Sequence, residues 1–277
     1  MRAMSNPRGL LERHGIAPRK SLGQNFLHDP QAVEKIAESA DIQPDDIALE
    51  IGPGTGVLTA QLAKRARAVY AIELDERMRP ILQEQLAGYD NVHLIFDDFL
   101  RVNLPELVKD DDFVVAANVP YYITSPILLT LLEGVRRPRQ IVLTIQQEVA
   151  ERIIATPPQT NRLAVVVGFY GQTQIITRLS PAVFWPRPDV ESAVIRITPH
   201  AVPPVDVDDT RLFMRVVKAG FSQKRKQLRN ALSGGLAIKA RAAGDLLDSA
   251  GIDPTRRAET LALDEWAALC RAYQRLS

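Results

Sequence analysis

A single cysteine, Cys270, in 277 residues excludes an internal disulfide framework and fits a reducing compartment. No stretch approaches the roughly 18 consecutive apolar residues of a membrane span. The start, MRAMSNPRGLLERHG, has no apolar signal-peptide core, so a soluble cytoplasmic protein without a membrane partner is expected. The four histidines, at 14, 28, 93 and 200, lack metal-ligand spacing, and no metal is expected. Acidic residues are missing from 211–230, which hold seven Lys/Arg, and residues 1–30 carry a net +3. The whole chain carries only +1, which leaves −9 for the remainder. Two basic segments on a near-neutral protein predict a local grip on a polyanion.

What is there reads as alternating strands and helices. Asp29-Pro30 is an N-cap followed by proline at the first helical position, opening a helix to about Ala40. Strands are predicted at IALEI (ending at Ile51), VYAIE, VHLIF, FVVAAN, QIVLTIQ and SAVIRIT. Helices are predicted over about 57–67, about 76–87, from Ser125-Pro126, and at EVAERIIA. RLAVVVGFYGQTQIITRL reads either as strand or as one helix followed by one strand. These βα units imply a parallel sheet with helices on both faces. TPHAVPPVDVDD (198–209), with three prolines, reads as a linker. It divides an α/β domain over 1–200 from a small helical domain over 208–277, whose helices are expected at TRLFMRVVKAGF, KRKQLRNALSG, AGDLLDSAG and LDEWAALCRAYQRL.

LEIGPGTGVLT places glycines at 52, 54 and 56 between a strand and a helix, where backbone can approach a ligand closely. The dinucleotide fingerprint needs glycine at position 57, and the chain has Val57. Glu50, at the strand end, would repel a pyrophosphate and welcome a cation. S-adenosylmethionine has a sulfonium, an ammonium and no phosphate. Glu73, ending the second strand, suits the ribose hydroxyls, and Asp98, after the third, suits an adenine amino group.

The run FVVAANVPYY asks why a buried strand should end in an amide, a proline and two tyrosines. An exocyclic nucleobase amine is a poor nucleophile because its lone pair is delocalised into the ring. The Asn118 side-chain oxygen and a nearby backbone carbonyl can accept its two hydrogens and aim the lone pair at the sulfonium. Pro120 offers no competing N–H and fixes the turn. Tyr121 supplies a stacking face, worth roughly 1–3 kcal/mol per base.

SLGQNFL (21–27), LEIGPGTGVLT (49–59), AIELD (71–75), NVPYYITSPIL (118–128), FWPRPDVESAVIRI (184–197) and FSQKRKQLRNAL (221–232), in that order, resemble the KsgA/RsmA-type rRNA adenine dimethyltransferases. The resemblance runs from about residue 17 to the C-terminal helices. It implies a Rossmann-like class I S-adenosylmethionine-dependent methyltransferase sheet with a small C-terminal helical domain. It also implies dimethylation of two adjacent adenosines in the hairpin loop near the 3′ end of small-subunit (16S) rRNA. By resemblance Asn25 and Leu27 close over the cofactor, Gly52 and Gly54 meet it through backbone, Glu73 takes the ribose and Asp98 the adenine. Asn118 takes the methyl acceptor and also belongs to the cofactor-binding set, and Tyr121 and Phe184 sandwich the target base. Val119 stands where the family more often has leucine, which leaves the backbone carbonyl in place. Tyr122 stands where some relatives have asparagine and receives no role.

Lys224, Arg225, Lys226 and Arg229, with Arg19 and Lys20 at the N-terminus, are expected to contact RNA phosphates. The expected partner is the small ribosomal subunit, with the protein acting as a monomer. Three alternatives remain at this level. An Erm-type enzyme acts on 23S rRNA, and DNA adenine or protein glutamine methyltransferases share the Asn/Asp-Pro turn. The third is a ribosome-assembly factor whose main task is binding.

Overall fold

The computed structural model describes residues 6–109 and 111–276. The first five residues of the expected N-terminal segment therefore lie outside it. The described chain falls into two compact units. One contains residues up to Ala150 together with Thr173–Pro199, and the other contains Glu151–Gln172 together with residues from His200 onward. Residues 151–172, placed in the α/β domain on sequence grounds, group with the helical unit.

The first unit is built on a seven-stranded sheet. Its strands are β1 (Ile47–Ile51), β2 (Ala68–Glu73), β3 (Val92–Phe96), β4 (Phe113–Asn118), β5 (Gln140–Gln146), β6 (Gly171–Leu179) and β7 (Ser192–Pro199), in the order β3-β2-β1-β4-β5-β7-β6. β1 pairs in parallel with both β2 and β4, and β7 runs antiparallel to β5, with Gln146 opposite Ser192. All five residues of β1 and the first five of β4 are buried, the continuous apolar pattern of parallel strands covered on both faces. Ala48, Val69, Val114, Ala116, Val142 and Val194 share a core cluster with residues of the helices Pro30–Ser39 and Val57–Ala63. This is an α/β Rossmann-like sheet, and its strand order reverses between β1 and β4. Ligands of such sheets bind outside the C-terminal strand ends at that reversal.

Several local expectations change in detail. Asp29 accepts from the Ala32 N–H at 2.8 Å and caps its helix as expected. The helix expected to reach residue 67 ends at Ala63, because the Asn91 side chain donates to the carbonyls of Ala63 (2.8 Å) and Ala66 (3.0 Å). The helix expected from Ser125 begins at Thr124, directly after a 3-10 turn over Tyr121–Ile123. The ambiguous segment is a helix, Arg162–Tyr170, followed by β6, with the Asn161 side chain accepting from Leu163 and Ala164 N–H.

The helical unit holds Thr210–Gly220, Leu228–Leu236, Ala240–Ser249 and Leu263–Gln274 beside Arg162–Tyr170. Phe169 stacks on Phe213 with ring centroids 4.6 Å apart, and Trp266 is fully buried. A Cβ on Gly220 would stand 2.4 Å from the Trp266 ring, and one on Gly235 would stand 2.6 Å from Ala219 Cα, so these helices pack at backbone distance. The helix expected at KRKQLRNALSG starts only at Leu228, whose N–H donates to Arg256 O at 2.7 Å. Lys224, Arg225 and Lys226 lie in the turn before it. Three adjacent cations oppose the positive end of a helix dipole and favour leaving its first turn.

Candidate active site

The end of each central strand contributes to one cleft of about 1020 Å³ counted out to solvent. The turn after β1, the end of β2, residues 97–99 after β3, Asn118 at the end of β4 with residues 119–123 after it, and residues 22–27 all line it. Among the described residues its lining contains Glu50, Glu73, Asp97 and Asp98 and no lysine, arginine or histidine. Such a wall accepts a cation and leaves a phosphate unpaired.

Gly52 and Gly54 explain the turn. Gly52 has φ +71°, and a Cβ there would meet no atom within 4 Å because it would point into the open cleft. Gly54 has φ +56°, and its Cβ would stand 3.0 Å from the Phe26 ring. A side chain at the first would take ligand space, and at the second would push away the segment above.

Glu50 is 1% exposed, and its Oε2 has no hydrogen-bond partner. Burial pushes its carboxyl up to about 8; the Thr59 hydroxyl lowers it and the Glu73 charge raises it further. Glu73 is also raised, first by burial, although backbone N–H groups favour its ionised form. Its Oε1 accepts from Asp75 N–H at 2.8 Å and its Oε2 from Gly54 N–H at 3.2 Å, which fixes the carboxylate plane. Asp98 accepts from Leu100 N–H at 3.0 Å and is half-buried at the cleft edge.

Asn118 Nδ2 donates to the Asn25 carbonyl at 3.0 Å. That bond leaves Oδ1 as the side chain's remaining acceptor. Val119 and Pro120 follow, and the Pro120 carbonyl accepts from Ile123 N–H at 3.2 Å to close the turn. The Tyr121 hydroxyl shares a 2.8 Å hydrogen bond with the Ser192 hydroxyl, so the first residue of β7 steadies the ring; burial raises the phenol pKa and Ser192 lowers it. Asn25 donates to Gly23 O at 3.2 Å, and Leu27 pairs with Phe184 in a two-residue antiparallel ladder that also joins Phe26 to Trp185.

Ten of the residues singled out from sequence thus line one cleft: Asn25, Leu27, Glu50, Gly52, Gly54, Glu73, Asp98, Asn118, Pro120 and Tyr121. Phe184 does not line it. Its ring is 3% exposed, within the cluster that holds Leu27, Val33 and Ile36, so a base could stack on it only after that packing opened. Arg19 and Lys20 are exposed beside the lining segment, with Arg19 Nη1 3.9 Å from Asp75. Lys224, Arg225, Lys226 and Arg229 are exposed on the helical unit. Ser192, Gln24, Asp75 and Tyr122 carry no role on sequence grounds. The first three act through partners 51 to 71 positions away, while Tyr122 lines the cleft at 56% exposure.

A sequence profile described as ribosomal RNA adenine dimethylase matches residues 16–275. The chain is 43% identical to the ribosomal RNA small subunit methyltransferase A of Moorella thermoacetica, over 96% of both chains. It is 42% identical to the protein of the same name from Geobacillus thermodenitrificans, over 96% of this chain and 94% of that one. Among solved structures it resembles the 23S rRNA methyltransferase ErmE, with TM-score 0.71 and 28% identity over 90% of this chain and 100% of that chain. A Plasmodium falciparum dimethyladenosine transferase, 24% identical, shares the fold with TM-score 0.77, over 90% of this chain and 98% of that chain. With the glycine turn, the strand-end acids and the strand-end asparagine gathered in one cleft, and a profile match along nearly the whole sequence, the chain belongs to the ribosomal RNA adenine dimethylase family.

Proposed function

We propose that this S-adenosylmethionine-dependent enzyme dimethylates the exocyclic N6 of two adjacent adenosines in the 3′-terminal hairpin loop of 16S rRNA. The observation that carries the chemistry is the Asn118 carboxamide, held by the Asn25 carbonyl with Oδ1 left to accept from an amine. The choice of small-subunit RNA is supported by relatives more than 40% identical over nearly their full length that bear that name.

The cleft fits the cofactor on two counts. The space before Gly52 is open, and the unpartnered Glu50 oxygen is a buried acceptor for a cation. Gly52 and Gly54 would hold S-adenosylmethionine through backbone, Glu73 through its ribose and Asp98 through its adenine, with Asn25 and Leu27 covering it. When bound, it supplies a sulfonium-borne methyl that transfers with loss of a neutral thioether. The residues of the chain do the rest. Asn118 Oδ1 accepts one amine hydrogen, and a backbone carbonyl of the Asn118–Pro120 turn accepts the other. The nitrogen then carries its lone pair out of the ring plane and forms the new N–C bond. Its proton leaves to water after attack. Tyr121 stacks the base, which must leave its own stack or be presented in a loop. Phe184 offers a second face once the packing over it opens.

Phosphate contacts supply affinity without naming the base. Lys224, Arg225, Lys226 and Arg229 are exposed on the helical unit, the first three preceding a helix N-terminus, where cations weaken a fold. Their placement is thus better accounted for by an anionic partner than by stability; Arg19 and Lys20 are candidates for the same task. Changing all four to glutamine should weaken RNA binding. It should also flatten the plot of log K against log salt by about 0.7–0.9 for each phosphate no longer neutralised, measured by filter binding from about 50 to 300 mM salt. An unchanged slope would assign them to a solvated face.

A ribosomal substrate is in keeping with a cytoplasmic protein, and every residue given a role here comes from one chain, in keeping with a monomer. The fold shared with ErmE keeps large-subunit RNA as the second reading. Mass mapping of methylated adenosines after incubation with unmodified 30S-derived and 23S substrates separates the two. Methyl groups on paired adjacent adenosines of the small-subunit RNA are expected. Modification confined to 23S RNA would establish the rival.

A further inference from the structure

Residues 19–27 form a strap along the cleft, anchored at both ends. At one end Arg19 N–H donates to Gln24 Oε1 at 2.7 Å, and Gln24 Nε2 donates to Asp75 Oδ2 at 2.9 Å. At the other, Phe26 and Leu27 pair with Trp185 and Phe184. Asn25, between the anchors, presents the carbonyl that accepts from Asn118.

Asp75 is suited to be an anchor. Its side chain is 1% exposed and is gripped by the Arg77 guanidinium, at 2.9 Å from Nε and 2.6 Å from Nη2. Those bonds, with the one from Gln24, hold its carboxyl below the usual range despite burial. Its own N–H donates to Glu73 Oε1 at 2.8 Å. The proposed ribose carboxylate, the strap and the acceptor amide therefore share one hydrogen-bonded frame.

A carboxamide can turn over about its last bond and exchange oxygen for NH2. Only one of the two orientations leaves an acceptor for an incoming amine. A backbone carbonyl accepts and never donates, so the Asn25 carbonyl selects the orientation with NH2 toward the strap. With the strap undocked nothing described in the cleft makes that selection.

We propose that the Gln24–Asp75 hydrogen bond is a latch that docks the strap, and that the docked strap sets the Asn118 carboxamide through the Asn25 carbonyl. Gln24 and Asp75 are then positioning residues for methyl transfer. The proposal rests on Asn118 meeting the acceptor amine, as argued above.

The test uses the full-length enzyme with unmodified small-subunit RNA, labelled cofactor and both ligands saturating. Gln24→Ala is expected to lower kcat about tenfold or more, the scale on which small misplacements act, with RNA KM within about twofold. Gln24→Glu, which sets carboxylate against carboxylate, should lose at least as much. Gln24→Glu combined with Asp75→Asn restores an amide–carboxylate bond with donor and acceptor exchanged but turns an NH2 toward Arg77 Nη2, so it should regain part of the loss. The side-chain NH2 resonances of Asn118 should move in Gln24→Ala and return in part in the exchanged pair. A kcat for Gln24→Ala within twofold of the unaltered enzyme, or unmoved Asn118 resonances, overturns the latch. An unaltered enzyme that methylates no adenosine would instead overturn the functional reading beneath it.

Discussion

Replacing Asn118 by alanine should abolish methyl transfer, with kcat falling at least about 10³-fold, while cofactor affinity stays within a few-fold. The size follows from what the amide supplies. Removing one preorganised polar group from a reacting centre costs roughly 10²–10³ in rate. Here the same group must also draw the nitrogen lone pair out of conjugation. Cofactor binding survives because the glycine turn, Glu50, Glu73 and Asp98 lie on other strand ends. The alanine variant also leaves the Asn25 carbonyl without its donor, at about 1–3 kcal/mol if no water replaces it. A modest fall in melting temperature is therefore expected beside the catalytic loss. Asn118→Asp keeps an acceptor and loses the donor, so its activity should fall between the two. Single-turnover transfer and cofactor titration on the same preparations check each part, and near-normal turnover in Asn118→Ala would remove the assigned role.

Glu50→Gln should act in opposite directions on stability and on cofactor binding. The Glu50 carboxyl, buried and raised to about 8, holds its proton more tightly in the fold than in the unfolded chain. Stability of the ligand-free protein therefore falls as pH climbs from the unfolded value near 4.5 to about 8, and levels off above it. Glutamine carries no such proton, so the variant should melt higher than the parent at pH 8 and lose that part of the pH slope. Binding a cationic cofactor reverses the preference, since it favours the ionised carboxylate. Cofactor affinity of the parent should rise with pH up to about 8, with proton release on binding, and the variant should show no such rise. Removing the buried partner of a charge costs roughly 2–5 kcal/mol, so affinity should drop by about two orders of magnitude. Calorimetry in buffers of different ionisation heat, and melting curves from about pH 6 to 9, measure both effects. A glutamine variant that binds as tightly as the parent would show that the Glu50 charge does not serve the ligand.

The strands were legible because β-branched runs end in glycine, acid or amide, and those endings were also the chemistry. Glu50, Glu73 and Asn118 each close or nearly close a strand, so reading the sheet was reading the site. What escaped depended on partners far along the chain. The early end of the helix at Ala63 is caused by Asn91, and nothing between residues 57 and 67 announces it. The motif around Phe184 was visible, but its burial under Leu27 and its neighbours belongs to packing, which a linear pattern does not carry. Tyr121 was identified as a flat face, while the Ser192 hydroxyl that steadies it comes from β7, the antiparallel neighbour of β5. The KRKQ turn shows the reverse error. Helical periodicity suggested a helix from Lys224, where the dipole disfavours those adjacent charges.

The excursion at residues 151–172 has a consequence for the molecule's modularity. The chain visits the helical unit twice, and the earlier thread delivers Val165, Val166, Val167 and Phe169, all buried, to partners such as Phe213 on the later one. That unit is accordingly no detachable appendage. Severing the polypeptide after Pro199 would strand a greasy helix on the catalytic half, and a transplant of the C-terminal portion alone would carry away only part of a core.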